Sequence, residues 1–456
     1  MATKASHETW SSTQLFVLSA VGSAVGLGNI WRFPYLAGEN GGGAFVAVYL
    51  LCVTFVALPI LIAEIMLGRM GKQSPINTMR NLAIEHGKSP LWGMAGWLAV
   101  FIAFVVMTFY SVVGGWAFDF SMKSAMGVFN GLDKEQTQLV FDSLLASPWR
   151  LTLWHTVFMG LTVFIVSRGL HEGIERAIKW LMPALFTILI GMVLYSAFTA
   201  DFVAGLTFLL KPDFSKLTTQ SFMLASSQAF FSVTIGAGAM MIYGAYLPEN
   251  VSIPKTTAII VYADAAVAIL AGMAIFPIVF SFGLQPDGGP GLVFVTLPIA
   301  FGQMYGGSII GTAFFILLAI AALTSLIATL EPIVAWAEEN RGIKRNTTTI
   351  VIGVTAWAVG FGSVLSFNHL SGFYPFDFLP FMEGKTIFDA SEYISITILL
   401  PVSGLLIALF AGWMLPDSIT ESELGLKSNT TYRIWLFLLR WLAPIVIIAI
   451  LIFNVL

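Results

Sequence analysis

Asp264 stands inside the run IIVYADAAVAIL, residues 259–270, in which only Tyr262 is also polar. An ionisable side chain in such a run is costly unless it pairs or binds something. Pairing with a lysine near the start of the run would be a structural role. Binding a cation would be a chemical one. Two further stretches carry unusual residues for an apolar segment: SAVGLGN at 23–29, with Arg32 just beyond, and SVTIGAG at 232–238. Each combines a serine with a Gly-x-Gly. Glycine lowers the cost of leaving helical geometry. A chain that leaves it frees carbonyl oxygens, which are hard ligands suited to an alkali cation, and N–H groups, which attract a carboxylate. Small residues also let helices pack closely, but two such motifs, the first flanked by Asn29 and Arg32, point to binding. The five histidines are scattered and none is spaced as a metal-ligand pair. Cys52 is the lone cysteine and lies in an apolar run, as a packing residue would. No nucleophile stands with a base, so the sequence does not read as an enzyme.

The elements that must hold these residues follow from composition. Of 456 residues 57% are hydrophobic and 10% charged, against roughly 25% charged in soluble domains. The net charge of −3 offers nothing to nucleic acid. The polar start, MATKASHETW, does not read as a cleavable signal peptide. With about 20 apolar residues needed per crossing, eleven spans are expected near 12–36, 44–68, 92–122, 148–168, 179–199, 222–247, 255–283, 308–337, 347–366, 390–414 and 433–455. Loops 123–147, 200–221 and 367–389 are long enough to form structured caps. With the N-terminus inside, fourteen lysines and arginines fall on the cytoplasmic side and six outside. That asymmetry predicts a cytoplasmic N-terminus and a C-terminus on the extracellular or periplasmic side of the plasma (inner) membrane.

The two Gly-x-Gly motifs lie in the first and sixth spans, five spans apart and running in opposite directions. In lipid a freed backbone group must line a polar cavity. Paired breaks in corresponding halves predict a midplane site at the interface of an inverted repeat. The expected fold is therefore an all-α polytopic membrane protein with eleven transmembrane helices, a 5+5 inverted repeat with helices 1 and 6 broken. The chain is expected as one transporter domain, 1–456: a first repeat at 12–199, a second at 222–414 and an eleventh helix at 433–455.

GSAVGLGNIWRFPYLAGENGGGAF (22–45) resembles the first-helix signature of the neurotransmitter:sodium symporter family. RGLHEGIERAIKWLMP (168–183) and SQAFFSVTIGAGAMMIYGAY (227–246) also match that family. The resemblance runs nearly end to end. In lacking a twelfth span the chain is similar to the family's bacterial eleven-helix branch, which includes multi-hydrophobic amino acid and tyrosine transporters.

The resemblance implies two sodium sites. The first would use the Ala24 carbonyl, Asn29, Ser232 and Asp264, completed by the substrate carboxylate. The second would use carbonyls of Gly22, Val25 and Ala321 with the hydroxyls of Thr324 and Ser325, in IAALTSLIATLEP (320–332). Asp264 stands where the family often has asparagine, and its charge should replace the chloride that animal relatives need. The glutamate that bacterial relatives often carry one turn later is Ala268 here. The substrate amino group would meet Ala24, Phe231 and Ser232. Its carboxylate would meet the Leu27 and Gly28 amides and the Tyr110 hydroxyl. Gly26, where monoamine carriers have aspartate, implies an amino acid substrate. Val106, Phe231, Thr234, Ala237, Ser325 and Thr329 would line the side-chain pocket. The small Ala237 and Thr329 imply room for aromatic or large aliphatic side chains.

The resemblance also implies gates. Outside, Arg32 would pair with Glu392, or with Asp389 one turn earlier. Inside, Glu339 would meet an N-terminal arginine whose position reads His7 here, with Lys4 as a substitute and Trp10 and Tyr246 covering the mouth. Gly173 and Pro183 would loosen the inner half of the fifth span. The function implied is a sodium-coupled importer of hydrophobic and aromatic amino acids working in a lipid bilayer. A substrate-sensing receptor and a proton-coupled or uncoupled carrier on the same fold remain open.

Overall fold

The computed structural model describes residues 8–285, 291–426 and 429–455. Every long apolar run becomes a helix, and no strand forms among the described residues beyond one isolated bridge, Gly42 to Pro212. Apolar side chains leave the backbone as the main hydrogen-bonding group, and in lipid a helix satisfies it internally. The chain runs α1 (Thr13–Ala24), α2 (Gly28–Glu39), α3 (Gly43–Gly71), α4 (Pro75–Glu85), α5 (Pro90–Ala125), α6 (Pro148–Val166) and α7 (Leu170–Thr199). It continues as α8 (Thr219–Ser232), α9 (Ala239–Ala245), α10 (Ile253–Ser281), α11 (Gly307–Arg341), α12 (Arg345–Leu365), α13 (Ile387–Met414) and α14 (Thr430–Asn454).

Among the described residues nine helices are long and apolar enough to cross a bilayer, or ten with the bent pair α1 and α2 taken as one span. α1 and α2 meet at 53°. The sixth span, expected at 222–247 with a break, is two short helices, α8 and α9, separated at residues 233–238. Neither is of crossing length by itself, which is why length and composition count nine or ten spans and not the expected eleven. α7 begins at Leu170, well before the expected 179, because its charged first turns are helical too. The long loops carry short helices of their own, Lys134–Leu145 and Phe202–Leu210 among them.

Proline shapes the helices in a regular way. The amides of Phe33, Leu58, Leu297, Leu400 and Ala443 each donate five residues back, and each precedes a proline. Proline has no N–H and its ring crowds the carbonyl four residues back. The turn before it widens to the π form.

α9, the segment after the second interruption, is fused to α3. A Cβ at Gly68 would overlap the Met241 carbonyl, and one at Gly244 would overlap the Ile65 carbonyl. α3 and α9 therefore touch backbone to backbone. On the face away from the N-terminus the rings of Trp116, Phe120, Phe141 and Phe294 pack edge to face and stacked.

Candidate functional site

Both interruptions end at one buried polar centre. Asn29 sits at the start of α2, Ser232 at the end of α8 and Asp264 inside α10, all buried. The Asn29 amide nitrogen donates to Asp264 Oδ1 at 2.8 Å, to the Asp264 carbonyl at 3.0 Å and to Ser232 Oγ at 3.0 Å. The Ser232 hydroxyl donates to the second Asp264 oxygen. Tyr49 on α3 places its hydroxyl 3.0 Å from Ser232 Oγ. Tyr49 escaped the sequence reading because a lone tyrosine in an apolar run carries no local signal. The cluster concentrates oxygen atoms and one carboxylate away from water, a donor set suited to a small hard cation.

A second oxygen cluster lies where α1 ends. Val25 leaves helical geometry at ψ 103°. The Gly26 amide, which a continuous helix would aim at the Gly22 carbonyl, donates instead to Asn29 Oδ1 at 3.2 Å. From α11, Ser325 Oγ lies 3.1 Å from the Ser23 carbonyl, 3.4 Å from that of Val25 and 3.1 Å from that of Ala321. Of the expected second cation set, Val25, Ala321 and Ser325 are thus brought together. Thr324 turns its hydroxyl onto its own helix, to the Ile320 and Ala321 carbonyls. Gly22 lies against α7, where an added Cβ would be 2.8 Å from Met182 Sδ. The Ser23 carbonyl, unforeseen, stands beside Ser325 because the unwinding begins two residues later.

The gap between α1 and α2 is packed so tightly that glycine is required. A Cβ at Gly26 would lie 2.5 Å from Tyr110 Oη and 2.7 Å from Ser325 Oγ; one at Gly28 would lie 2.9 Å from the Phe231 ring. The Leu27 amide donates to Tyr110 Oη at 2.9 Å, so Tyr110 and the freed amide meet as expected. Between α8 and α9 the chain turns through Thr234 at φ +52°, a conformation that β-branched residues rarely adopt. Val106, Phe231, Thr234 and Ser325 are partly exposed within the protein, whereas Ala24, Ala237 and Thr329 are buried. Thr329 donates to the Ser325 carbonyl at 2.8 Å.

Above this region lies a cavity of about 380 Å³, with Leu27, Tyr110 and Phe231 in its lining beside Arg32, Asp389 and Glu392. The expected outer ion pair does not form: Arg32 and Glu392 share the cavity without an ion pair among the described residues. Arg32 instead donates to Gln228 Oε1 at 3.4 Å and lies 5.2 Å from the Phe231 ring centre. Gln228, a residue missed by sequence, also donates to the Gly28 carbonyl at 2.8 Å. Asp389 is committed to the start of α13, where it accepts from the Thr386 hydroxyl at 2.7 Å.

On the N-terminal face Trp10 is buried against Tyr243 and Tyr246, with its indole donating to the Tyr243 carbonyl at 3.0 Å. His7 and Lys4 lie outside the described residues. Glu339 accepts from the Ser74 amide at 2.6 Å and from Asn77 at 2.6 Å, at the start of α4. The buried acid on this face is Glu331, which accepts from Tyr246 at 2.8 Å and pairs with Arg345; Arg345 also reaches Glu338 at 3.2 Å. Glu64 accepts from the Gly236 amide at 3.0 Å. Glu64 and Glu331 carried the same signal as Asp264, an acid in an apolar run, and were passed over. At the start of α7, Glu8 accepts from the Leu170 amide at 2.9 Å and Ser11 donates to Glu175 at 2.6 Å.

Two interrupted helices meeting at a buried polar centre, beside a cavity, define a secondary transporter of the broken-helix kind. The comparisons agree. The model of the Sodium:neurotransmitter symporter family matches residues 7–130 and 136–456, and the chain belongs to that family of sodium-dependent membrane transporters. It is 38% identical to the Bacillus subtilis uncharacterized sodium-dependent transporter YhdH, over 96% of each chain. It is 33% identical to an uncharacterized sodium-dependent transporter of Haemophilus influenzae, over 98% of each. A crystal structure of MhsT in complex with L-phenylalanine superposes with a TM-score of 0.89 at 38% identity, covering 99% of this chain and all of that one.

Proposed function

We propose that the protein imports hydrophobic and aromatic L-amino acids together with sodium by alternating access between the halves 12–199 and 222–414. The observation that carries this reading is the position of the Asn29–Ser232–Asp264 centre beside the Leu27 amide and Tyr110. A substrate carboxylate held by the Leu27 and Gly28 amides and Tyr110 can reach a cation at that centre. Amino acid and ion then stabilise each other. The similar MhsT was crystallised with L-phenylalanine, which supports an apolar substrate side chain. That side chain would rest among Val106, Phe231, Thr234, Ala237, Ser325 and Thr329, and the amino group on the carbonyls of Ala24, Phe231 and Ser232. A second sodium sits at the Gly22–Val25 carbonyls with Ala321, Thr324 and Ser325, where Thr324 must rotate its hydroxyl to take part.

Asp264 supplies a fixed negative charge, so transport needs no chloride. The N-terminus is cytoplasmic and the C-terminus faces outside the inner membrane. Arg32 leaves Gln228 for Glu392 when the outer cavity closes, and Trp10 and Tyr246 leave the inner mouth when it opens.

The test is uptake of labelled tryptophan and leucine into proteoliposomes, with and without an inward sodium gradient. Accumulation of both on the gradient is the expected result. Saturable binding without accumulation would overturn import in favour of a sensing role, and accumulation driven by protons alone would overturn sodium coupling.

A further inference from the structure

Away from the interrupted helices, a cavity of about 340 Å³ opens on the face where the chain begins. Its lining includes Asn77 and Arg80 of α4, Leu91, Met94 and Trp97 at the start of α5, and Trp336 near the end of α11. α4 buries Ile76, Met79 and Ala83 and turns Arg80 and Ile84 outward, one helical turn apart. Leu91, Met94 and Trp97 are 69%, 67% and 47% exposed and recur every three residues, so they form one outward stripe. A stripe of this kind at the end of a membrane-crossing helix faces acyl chains. Trp97 and Trp336 pair with ring centres 4.7 Å apart, and tryptophan favours the level where headgroups meet hydrocarbon.

Arg80 is placed rather than loose. Its stem lies over Gly93, where an added Cβ would be 3.1 Å from the Arg80 Cβ. It is exposed and enters no ion pair among the described residues. The neighbouring acid, Glu339, is engaged by Ser74 and Asn77. An uncompensated guanidinium ringed by exposed apolar side chains matches an amphiphile with an anionic head. Guanidinium binds phosphate through two parallel N–H donors, and apolar side chains seat the acyl chains.

We propose that this cavity holds the headgroup of an anionic phospholipid, its phosphate on Arg80 and its chains along Ile84, Leu91 and Met94. Asn77 both lines the cavity and donates to Glu339. The lipid therefore steadies the helix start that Glu339 caps, and with it the contact between α4 and α11.

The experiment uses the full chain purified in mild detergent, with phosphatidylglycerol or phosphatidylcholine added. Native mass spectrometry counts retained lipid and a melting curve reads the stabilisation. Wild type is expected to retain phosphatidylglycerol and to melt higher with it, but not with phosphatidylcholine. Arg80→Ala loses both effects while melting like wild type without lipid, and Arg80→Lys keeps part of them. Lys255→Ala, in a separate groove between α1 and α10, retains lipid like wild type. The proposal is overturned if Arg80→Ala holds as much phosphatidylglycerol as wild type, if phosphatidylcholine stabilises wild type equally, or if Lys255→Ala loses the lipid just as Arg80→Ala does.

Discussion

At the scale of single residues, Asp264 and Gly26 bear most directly on the transport proposed above. Asp264 brings a carboxylate to the centre formed with Asn29, Ser232 and Tyr49. Asp264→Ala is expected to abolish sodium-driven uptake, and sodium dependence that survives unchanged would remove Asp264 from the first cation site. Asp264→Asn keeps an oxygen ligand but loses the charge. Its uptake should become stimulated by chloride, measured by replacing chloride with gluconate. Gly26 has Tyr110 Oη and Ser325 Oγ on either side of where a Cβ would stand. Overpacking of this kind costs about 1–3 kcal/mol. Gly26→Ala should therefore melt several degrees lower, and, because the Cβ displaces Tyr110 Oη from the Leu27 amide, it should also bind its amino acid more weakly, as read by equilibrium binding.

At the scale of elements, the second interruption works against a rigid support. α9 is joined to α3 through Gly68 and Gly244, and Glu64 on α3 holds the Gly236 amide of the connecting segment. α3 and α9 should move as one body. Gly68→Ala forces a Cβ into the Met241 carbonyl, which a backbone atom cannot avoid by changing rotamer. The expected result is a melting temperature lower by several degrees, with a loss on the order of 1–3 kcal/mol. A wild-type melting curve would show that α3 and α9 can separate freely.

At the scale of the whole molecule, the two faces differ. On the face away from the N-terminus, Arg32 lines a cavity with Glu392 and is held by Gln228. The N-terminal face is tied by Trp10, by Tyr246 on Glu331, and by Arg345 bridging Glu331 and Glu338. The Glu331 side chain is fully buried, whereas that of Arg345 is 19% exposed. Breaking a buried pair by removing one partner costs about 3–5 kcal/mol, whereas replacing both can be nearly neutral. Arg345→Ala should therefore melt markedly lower than the double variant Glu331→Gln with Arg345→Gln. Equal melting temperatures would mean that Glu331 is not a buried charge in the folded protein.

Much of the architecture could be read from the chain alone, because it is local. Apolar runs of crossing length, Ser and Gly-x-Gly in the first and sixth of them, and an aspartate in the run at 259–270 are all consecutive-residue facts. Bilayer physics turns such facts into helices, breaks and a candidate site. What could not be read is which distant groups answer one another. Tyr49 meets Ser232 across 183 positions, Gln228 meets Gly28 across 200, and Tyr246 meets Glu331 across 85. Helix rotation and crossing angle set those meetings, and a shift of one residue in either would undo them. The same holds for the gates. Arg32 and Glu392 were legible as charges near helix ends, but whether they touch depends on how the two halves lie against each other, a property of the packed bundle and of no segment within it.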